Sequence, residues 1–504
     1  MSGRIVGENN RLDHRSSVYA RQSNFPFLRS VAVDPRSVQS SEQKIGATQR
    51  VAFAGLYLFT LLLYVRPNEL FPDALGTFPI SRIVAVVAVV AYIAGKLGGC
   101  ERLTIVPTEL KLLSFIALLG VLFAPLAAAP GDSIEMLMDM FIKVIIIFIL
   151  MINVITTQDR LRMMMNLVVI CGTIFALLAI KSYLVGDFTI VQKKDVGVVG
   201  LRITGAVGGF FGNPNDLATS LNLLLPLAVT LALTNRGLKR VLYFVAGGIL
   251  VGGVIVTFSR GGFLGLAAMG ALLLWKAGRQ NRAITALAFA AMFTVFLFAM
   301  PVGYAGRITS MFNVGEDPTG SSQARHDLLD RAASIAAHHP IIGIGMGNFH
   351  IYSIHEQVAH NSYLEIASEL GLAGLLAYVL LIFTPLRSLR RIELETTNQD
   401  QDPFNKDPNA LRKREIHYFS IALQGVLVAY VVCSFFGSIQ YQWFLYYPIA
   451  YAIALRRIYE AQYSTLVNSE GSPASKNLNA KQSGVVWRSR PRAAASRITV
   501  RARS

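Results

Sequence analysis

Twelve stretches of mostly apolar residues limit what this 504-residue chain can fold into more than any other feature. They run roughly over 51–65, 79–96, 112–129, 137–155, 164–183, 216–234, 241–258, 262–275, 283–301, 363–386, 417–437 and 440–456. A bilayer core is crossed by about 20 such residues in a helix, with a range of about 17–25. The first, second, eighth and last stretches are short or interrupted. The runs are rich in Leu, Ala, Phe and Gly and show little period-2 alternation, which favours helices over a barrel. Only 15% of the residues are charged and the mean hydropathy is +0.47, where a soluble chain carries about 25% charged residues. These values exclude a soluble enzyme, a disordered scaffold and a secreted disulfide framework. The expected fold class is all-α: a polytopic integral membrane protein with about 12 transmembrane helices and one large outer loop.

The chain has 47 Lys and Arg against 30 Asp and Glu, a net charge of +17. Their placement decides what the charge means. The first fifty residues are polar, hold eight basic residues and lack the apolar core of a cleavable signal peptide. If they begin in the cytoplasm and each span changes side, 36 of the 47 basic residues fall in cytoplasmic segments. That is the asymmetry expected of a multi-span protein. Residues 1–50 and 459–504 are expected to be basic cytoplasmic tails, both disordered, around a membrane domain over 51–458. Residues 476–504 carry eight Lys and Arg and no acidic residue, a composition suited to anionic membrane lipids. Trp487 is the one aromatic in that stretch, which argues against nucleic-acid binding. Cys100, Cys171 and Cys433 are scattered and odd in number, the pattern of small residues buried among helices.

Two outer segments are longer than turns. The first, about 184–215, ends in Asn213-Pro214-Asn215-Asp216. This run can end a loop and cap the next helix, with Asn215 or Asp216 accepting from its exposed N–H groups. The second, about 302–362, holds six of the eight histidines. His355 and His360 are one residue too far apart for H-E-x-x-H and would diverge on a helix, so no metal is expected. Between two spans lies Ser259-Arg260-Gly261-Gly262, which places Arg260 at the outer boundary. Arginine is costly there unless paired or facing a cavity. Arg202, Arg307 and Arg325 are the other outer cations of interest. Deep in a span, Asp139 and Lys143 are four residues apart and can pair.

Four stretches, in order, resemble the O-antigen ligase family, which includes surface-polysaccharide polymerases and protein O-oligosaccharyltransferases. They are Arg202 through Asn215-Asp216-Leu217-Ala218; Ser259-Arg260-Gly261-Gly262; Arg325 through His339-Pro340-Ile341-Ile342-Gly343-Ile344-Gly345-Met346-Gly347-Asn348-Phe349; and His360-Asn361-Ser362-Tyr363-Leu364-Glu365. The last continues to Gly371-Leu372-Ala373-Gly374, and the pattern departs at Ala377. The likeness covers about 200–375.

The resemblance implies a bacterial inner-membrane enzyme with its active site on the periplasmic face, where the 302–362 loop lies; the placement of the basic residues puts both termini in the cytoplasm. The donor would be a glycan on undecaprenyl diphosphate. The acceptor would be lipid A–core, another polysaccharide chain or a protein hydroxyl. Such a transfer needs a counter-charge for the departing diphosphate and a group that activates the acceptor hydroxyl. Arg260 and Arg202 suit the first task, because guanidinium binds phosphate oxygens in pairs. His360 suits the second. Arg325, Asn361, Asn215, Glu365 and Arg307 are expected to bind substrate. Arginines can replace a divalent cation, so no cofactor is expected. A polymerase or an oligosaccharyltransferase would use the same donor and face. A transporter is the alternative of another class, but no internal repeat is evident and the polar inventory sits on one face.

Overall fold

A computed structural model of the chain describes residues 35–76, 78–187, 189–192, 199–203, 212–277, 321–353, 357–397 and 408–470. Among these, the long helices are α1 (Pro35–Val65), α4 (Ile80–Gly98), α5 (Thr108–Phe123), α7 (Ile142–Val154) and α8 (Gln158–Val185). They continue with α9 (Pro214–Thr234), α10 (Gly237–Val256), α11 (Arg260–Ala277) and α12 (Ser321–His338). The last three are α14 (Ser362–Thr397), α15 (Pro408–Ser434) and α16 (Trp443–Glu470). Short helices α2 (Pro67–Leu70), α3 (Pro72–Leu75), α6 (Pro130–Glu135) and α13 (Phe349–Tyr352) lie in the connections. Two strands, β1 (Thr189–Gln192) and β2 (Val199–Arg202), form an antiparallel hairpin that pairs Thr189 with Arg202. The expectation of an all-helical chain is thus met apart from this hairpin.

Nine helical segments among the described residues are long and apolar enough to cross a membrane. They are Gly46–Leu70, Ile80–Gly98, Thr108–Leu126, Pro130–Val154, Gln158–Val185, Pro214–Thr234, Gly237–Val256, Ser362–Thr397 and Ala410–Ser434. Nine of the twelve expected spans match them. The stretches 262–275 and 440–456 are the helices α11 and α16, which are not among the nine. The stretch 283–301 lies outside the described residues. For α16 the reason is physical. Arg456, Arg457 and Glu460 cut its apolar run short, and within that run the rest of the bundle buries Tyr446, Tyr447 and Tyr451. Tyrosine hydroxyls need partners there: Tyr447 shares a hydrogen bond with Thr60 at 3.0 Å, and Tyr446 donates to Gln440 O.

Helix α1 starts at Pro35, inside the supposed 1–50 tail, and α16 runs to Glu470, inside 459–504. Each continues the helix that follows or precedes it, because no Gly or Pro interrupts 37–45 or 459–470.

Helix α9 is central, with 83% of its most apolar stretch covered by protein, whereas α4 is peripheral at 17%. Around α9 pack α8, α10, α11 and α15, and α4 packs mainly on α1. The end of the bundle opposite the starts of α9, α11 and α14 is held by charge pairs. Arg456 binds the fully buried Glu109 through both carboxylate oxygens, at 2.9 and 3.1 Å. Lys276 meets Glu393 at 2.5 Å, and Arg390 shares that carboxylate at 2.8 Å.

Candidate functional site

Three helices begin at one end of the bundle, each with a side-chain cap. Asn213 Oδ1 accepts from Asn215 N and Asp216 N, both at 2.9 Å, and starts α9. This corrects the expectation that Asn215 or Asp216 caps that helix. Pro214 has no N–H to satisfy and fits the first helical position, which makes the residue before it the cap. Ser259 Oγ accepts from Gly262 N at 3.2 Å and starts α11. Asn361 Oδ1 accepts from Tyr363 N and Leu364 N, both at 3.0 Å, and starts α14. Two of these caps are entered the same way. Phe258 (φ 54°) precedes Ser259 and His360 (φ 53°) precedes Asn361, both in the left-handed region that side chains other than glycine seldom adopt. Such backbone persists where surrounding structure enforces it.

The three helix starts are tied together. Asn215 Oδ1 accepts from Ser259 Oγ at 2.9 Å, joining α9 to α11. A Cβ on Gly262 would stand 2.5 Å from Ala218 Cβ, and one on Gly261 would stand 2.6 Å from Phe436 Cβ. The two glycines after Arg260 therefore let α11 press against α9 and against the turn after α15. That turn also holds α14: Ser362 Oγ donates to Gly437 O at 2.7 Å and accepts from Ile439 N at 2.9 Å. Phe436 and Gly437 are adjacent, so one short segment carries the Arg260 helix on one side and the His360 helix on the other. Arg260 and His360 are both half-buried.

Glu365 and Glu369 share a face of α14 and are buried. Glu365 accepts from Ala359 N at 2.9 Å, from Gln440 Nε2 at 2.9 Å and from the Ser438 hydroxyl. Glu369 accepts from Tyr441 at 2.8 Å and from Phe349 N at 3.2 Å. Both carboxylates fasten neighbouring loops to α14. Buried carboxylates persist only when paired or hydrogen-bonded in this way.

The glycine-rich run before α13 has its own structural logic. Helix α14 breaks at Gly371 (φ 69°), which frees two carbonyls. Ile344 N donates to Ser368 O at 2.9 Å and Gly345 N donates to Glu369 O at 3.0 Å, while Leu372 N donates to Pro340 O at 2.8 Å. The loop thus replaces the missing helical hydrogen bonds, which irregular backbone inside a membrane protein requires. Gly343, Gly345 and Gly347 all have positive φ. Asn348, fully buried, then bonds Ala129 N at 2.8 Å and Ser133 Oγ at 2.7 Å. Above the start of α14, Leu328, Ala332 and Ile335 of α12 pack on Ile344, Phe349 and Ala359. Arg325 lies one turn before Leu328 and is half-buried.

Residues 245–379 match the family model of the O-antigen ligases. Over this stretch the chain is similar to the O-antigen ligases. Comparison with curated proteins finds no match. The O-antigen ligase match runs from α10 past the break in α14. It includes Arg260, Arg325, His360, Asn361 and Glu365 and leaves out Arg202 and Asn215. Members of this domain family are membrane enzymes of the ligase and polymerase type.

Of the residues singled out from sequence, Asn215, Arg260, His360, Asn361 and Glu365 gather around Phe436–Gly437. Arg202 ends β2, and nothing is described of its side chain. Arg307 lies outside the described residues. Sequence reasoning missed Phe436, Gly437, Ser438 and Gln440 altogether. The only available signal was a Ser-Phe-Phe-Gly-Ser run too polar and glycine-bearing to continue the preceding span.

Proposed function

We propose that the chain is a membrane glycosyltransferase of the O-antigen ligase type. It moves a glycan from undecaprenyl diphosphate to an acceptor hydroxyl on the periplasmic face of the bacterial inner membrane. The observation that carries this reading is the Phe436–Gly437 turn, packed against Gly261 of the Arg260 helix and bonded to Ser362 of the His360 helix.

The chemistry follows from that arrangement. A helix N-terminus presents unsatisfied N–H groups and a partial positive charge, which favour an anion. Arg260, at the first position of α11, adds a guanidinium that can bind two phosphate oxygens. Arg202, Arg307 and Arg325 supply further positive charge as the diphosphate departs. His360 accepts the proton of the acceptor hydroxyl while that oxygen attacks the anomeric carbon. The bond from that carbon to the diphosphate oxygen breaks, and its electron pair leaves on the diphosphate. Fixed positive charge where negative charge develops is the main source of rate in such a site. Asn215, Asn361 and Glu365 act as positioning residues, because their side-chain oxygens are engaged in holding the helix starts.

The test is His360→Ala in the native host, with the amount of protein in the membrane measured. Loss of surface glycan at normal protein level is expected, and wild-type glycan would overturn the assignment. A deletion strain defines the acceptor. Free polymer without lipid A–core attachment marks a ligase. Accumulated single repeat units mark a polymerase, and loss of protein glycans alone marks an O-oligosaccharyltransferase.

A further inference from the structure

Between α14 and α16, at the end of the bundle opposite Arg260 and His360, lies a cleft of about 1120 Å³. Its α14 wall runs Leu380, Phe383, Arg387, Arg391, Glu395, so that one helix face passes from apolar to basic to acidic. Helix α16 repeats the last part of that order, with Arg456 and then Glu460 one turn farther out. Leu380 and Phe383 are 43% and 62% exposed. Exposed apolar side chains on a membrane span face acyl chains.

The cations of the cleft are not equivalent. Arg456 is committed to Glu109 through both carboxylate oxygens, at 2.9 and 3.1 Å. Arg391 Nε donates to Glu395 at 2.7 Å, an exposed pair of the kind that contributes little. Arg387 is exposed and has no hydrogen bond or ion pair among the described residues. It directly follows the apolar run that ends near residue 386. Arginine at such a boundary is costly unless it reaches a counter-charge or the polar headgroups. The unmatched cation is therefore the one nearest the apolar wall.

Farther out the sign reverses. Glu395 accepts from Arg391 and, through its other oxygen, from the Tyr459 hydroxyl at 2.9 Å. A carboxylate has about four acceptor positions, so it can take a further N–H. Glu460 is exposed and within electrostatic reach of Arg391. Arg391 lies one helical turn, about 5–6 Å, beyond Arg387.

This order selects a headgroup. Next to the acyl chains it needs one negative charge, and one step outward it needs a positive group with N–H donors. Phosphoethanolamine has both, a phosphate diester followed by a primary ammonium. Phosphocholine has the same phosphate, but its quaternary ammonium has no N–H. Phosphoglycerol has no positive charge to meet Glu395 and Glu460. Polar clefts between spans are a recurring place for lipid headgroups.

We propose that this cleft binds phosphatidylethanolamine from the leaflet opposite the proposed site. Its phosphate sits on Arg387, its ammonium on Glu460 and Glu395, and an acyl chain lies along Leu380 and Phe383.

Occupancy can be read from the apolar wall. The full chain carrying Trp275→Phe, Trp443→Phe, Trp487→Phe and Phe383→Trp has a single tryptophan, on the cleft. It would be placed in phosphatidylcholine vesicles containing dibrominated phosphatidylethanolamine, phosphatidylglycerol or phosphatidylcholine, since bromine quenches tryptophan only at short range. Half-quenching by the ethanolamine lipid is expected at a mole fraction about five-fold below that of the choline lipid, the effect of one hydrogen bond. Arg387→Gln should weaken the ethanolamine and glycerol lipids alike. Glu395→Gln/Glu460→Gln should abolish the preference for ethanolamine over choline and improve binding of the glycerol lipid. Equal quenching by the three lipids, preference for phosphatidylglycerol, or an ethanolamine preference that survives the double glutamine variant would each overturn the proposal. The chain with its own tryptophans gives a second reading in detergent. Added phosphatidylethanolamine should raise its melting temperature more than the other two lipids do, and the double glutamine variant should lose that extra rise; an equal rise with all three lipids would again count against the site.

Discussion

Asn215 Oδ1 accepts a hydrogen bond from the Ser259 hydroxyl at 2.9 Å, and the same hydroxyl oxygen accepts from Gly262 N. One serine oxygen therefore both starts the Arg260 helix and fastens it to α9. Ser259→Ala removes the cap and the link, and should cost about 1–2 kcal/mol of stability. Asn215→Ala removes only the link. In a double-mutant cycle the second change should add little to the first, since both break one contact. Thermal unfolding of the purified variants checks this, with full additivity as the contrary result.

Gly343 and Gly371 face each other across the break in α14. A Cβ on Gly343 would lie 2.3 Å from Glu369 O, and one on Gly371 would lie 2.7 Å from Ile341 O. Both glycines also have positive φ. Gly371→Ala should thus lose about 1–3 kcal/mol to backbone conformation alone, with the collision added. Gly248, inside α10, meets nothing within 4 Å. Gly248→Ala should raise stability by about 0.5–1 kcal/mol through helix propensity. Opposite shifts of melting temperature in the two variants are the expected reading.

How much of this was legible in the sequence follows from the range of the interactions. Nine spans could be read because an apolar run signals lipid whatever it later touches. The Asp139–Lys143 pair could be read because it spans one helical turn. The caps were half legible: the Asn-Pro-Asn-Asp run marked a helix start, while the choice of Asn213 depended on where Pro214 fell. The Phe436–Gly437 turn was invisible, because its meaning comes from Gly261 and Ser362, far away in the chain. The spacing of Gly371 and Gly374 could be seen, but the reason for Gly371 is a loop about thirty residues earlier that takes over its helical hydrogen bonds. The burial of α16 was hidden for the same reason, since tyrosine reads as polar until Thr60 is found beside it.

Glu109 and Arg456 give a prediction about the opposite end. Glu109 has no exposed surface, and Arg456 satisfies both of its oxygens. Arg456→Met should destabilise by about 3–5 kcal/mol, because it leaves a buried carboxylate without its partner. The double variant Glu109→Leu/Arg456→Met should recover most of the loss. Chemical denaturation of the detergent-solubilised chain separates these outcomes, and a double variant as unstable as the single one would contradict the argument.

His360 allows side chain and backbone to be tested apart. Its φ of 53° is costly for alanine and tolerated by glycine and asparagine. His360→Ala therefore changes both the imidazole and the fit of the turn before α14. His360→Gly and His360→Asn remove the imidazole and keep a residue suited to that turn. The expected order of melting temperature is Gly and Asn near wild type, with Ala lower. Glycan transfer per folded protein should fall in all three by about 100-fold or more, the contribution of a positioned general base. Transfer that tracked stability instead, failing in the alanine variant and surviving in glycine and asparagine, would make His360 a backbone hinge and move proton transfer elsewhere in the site.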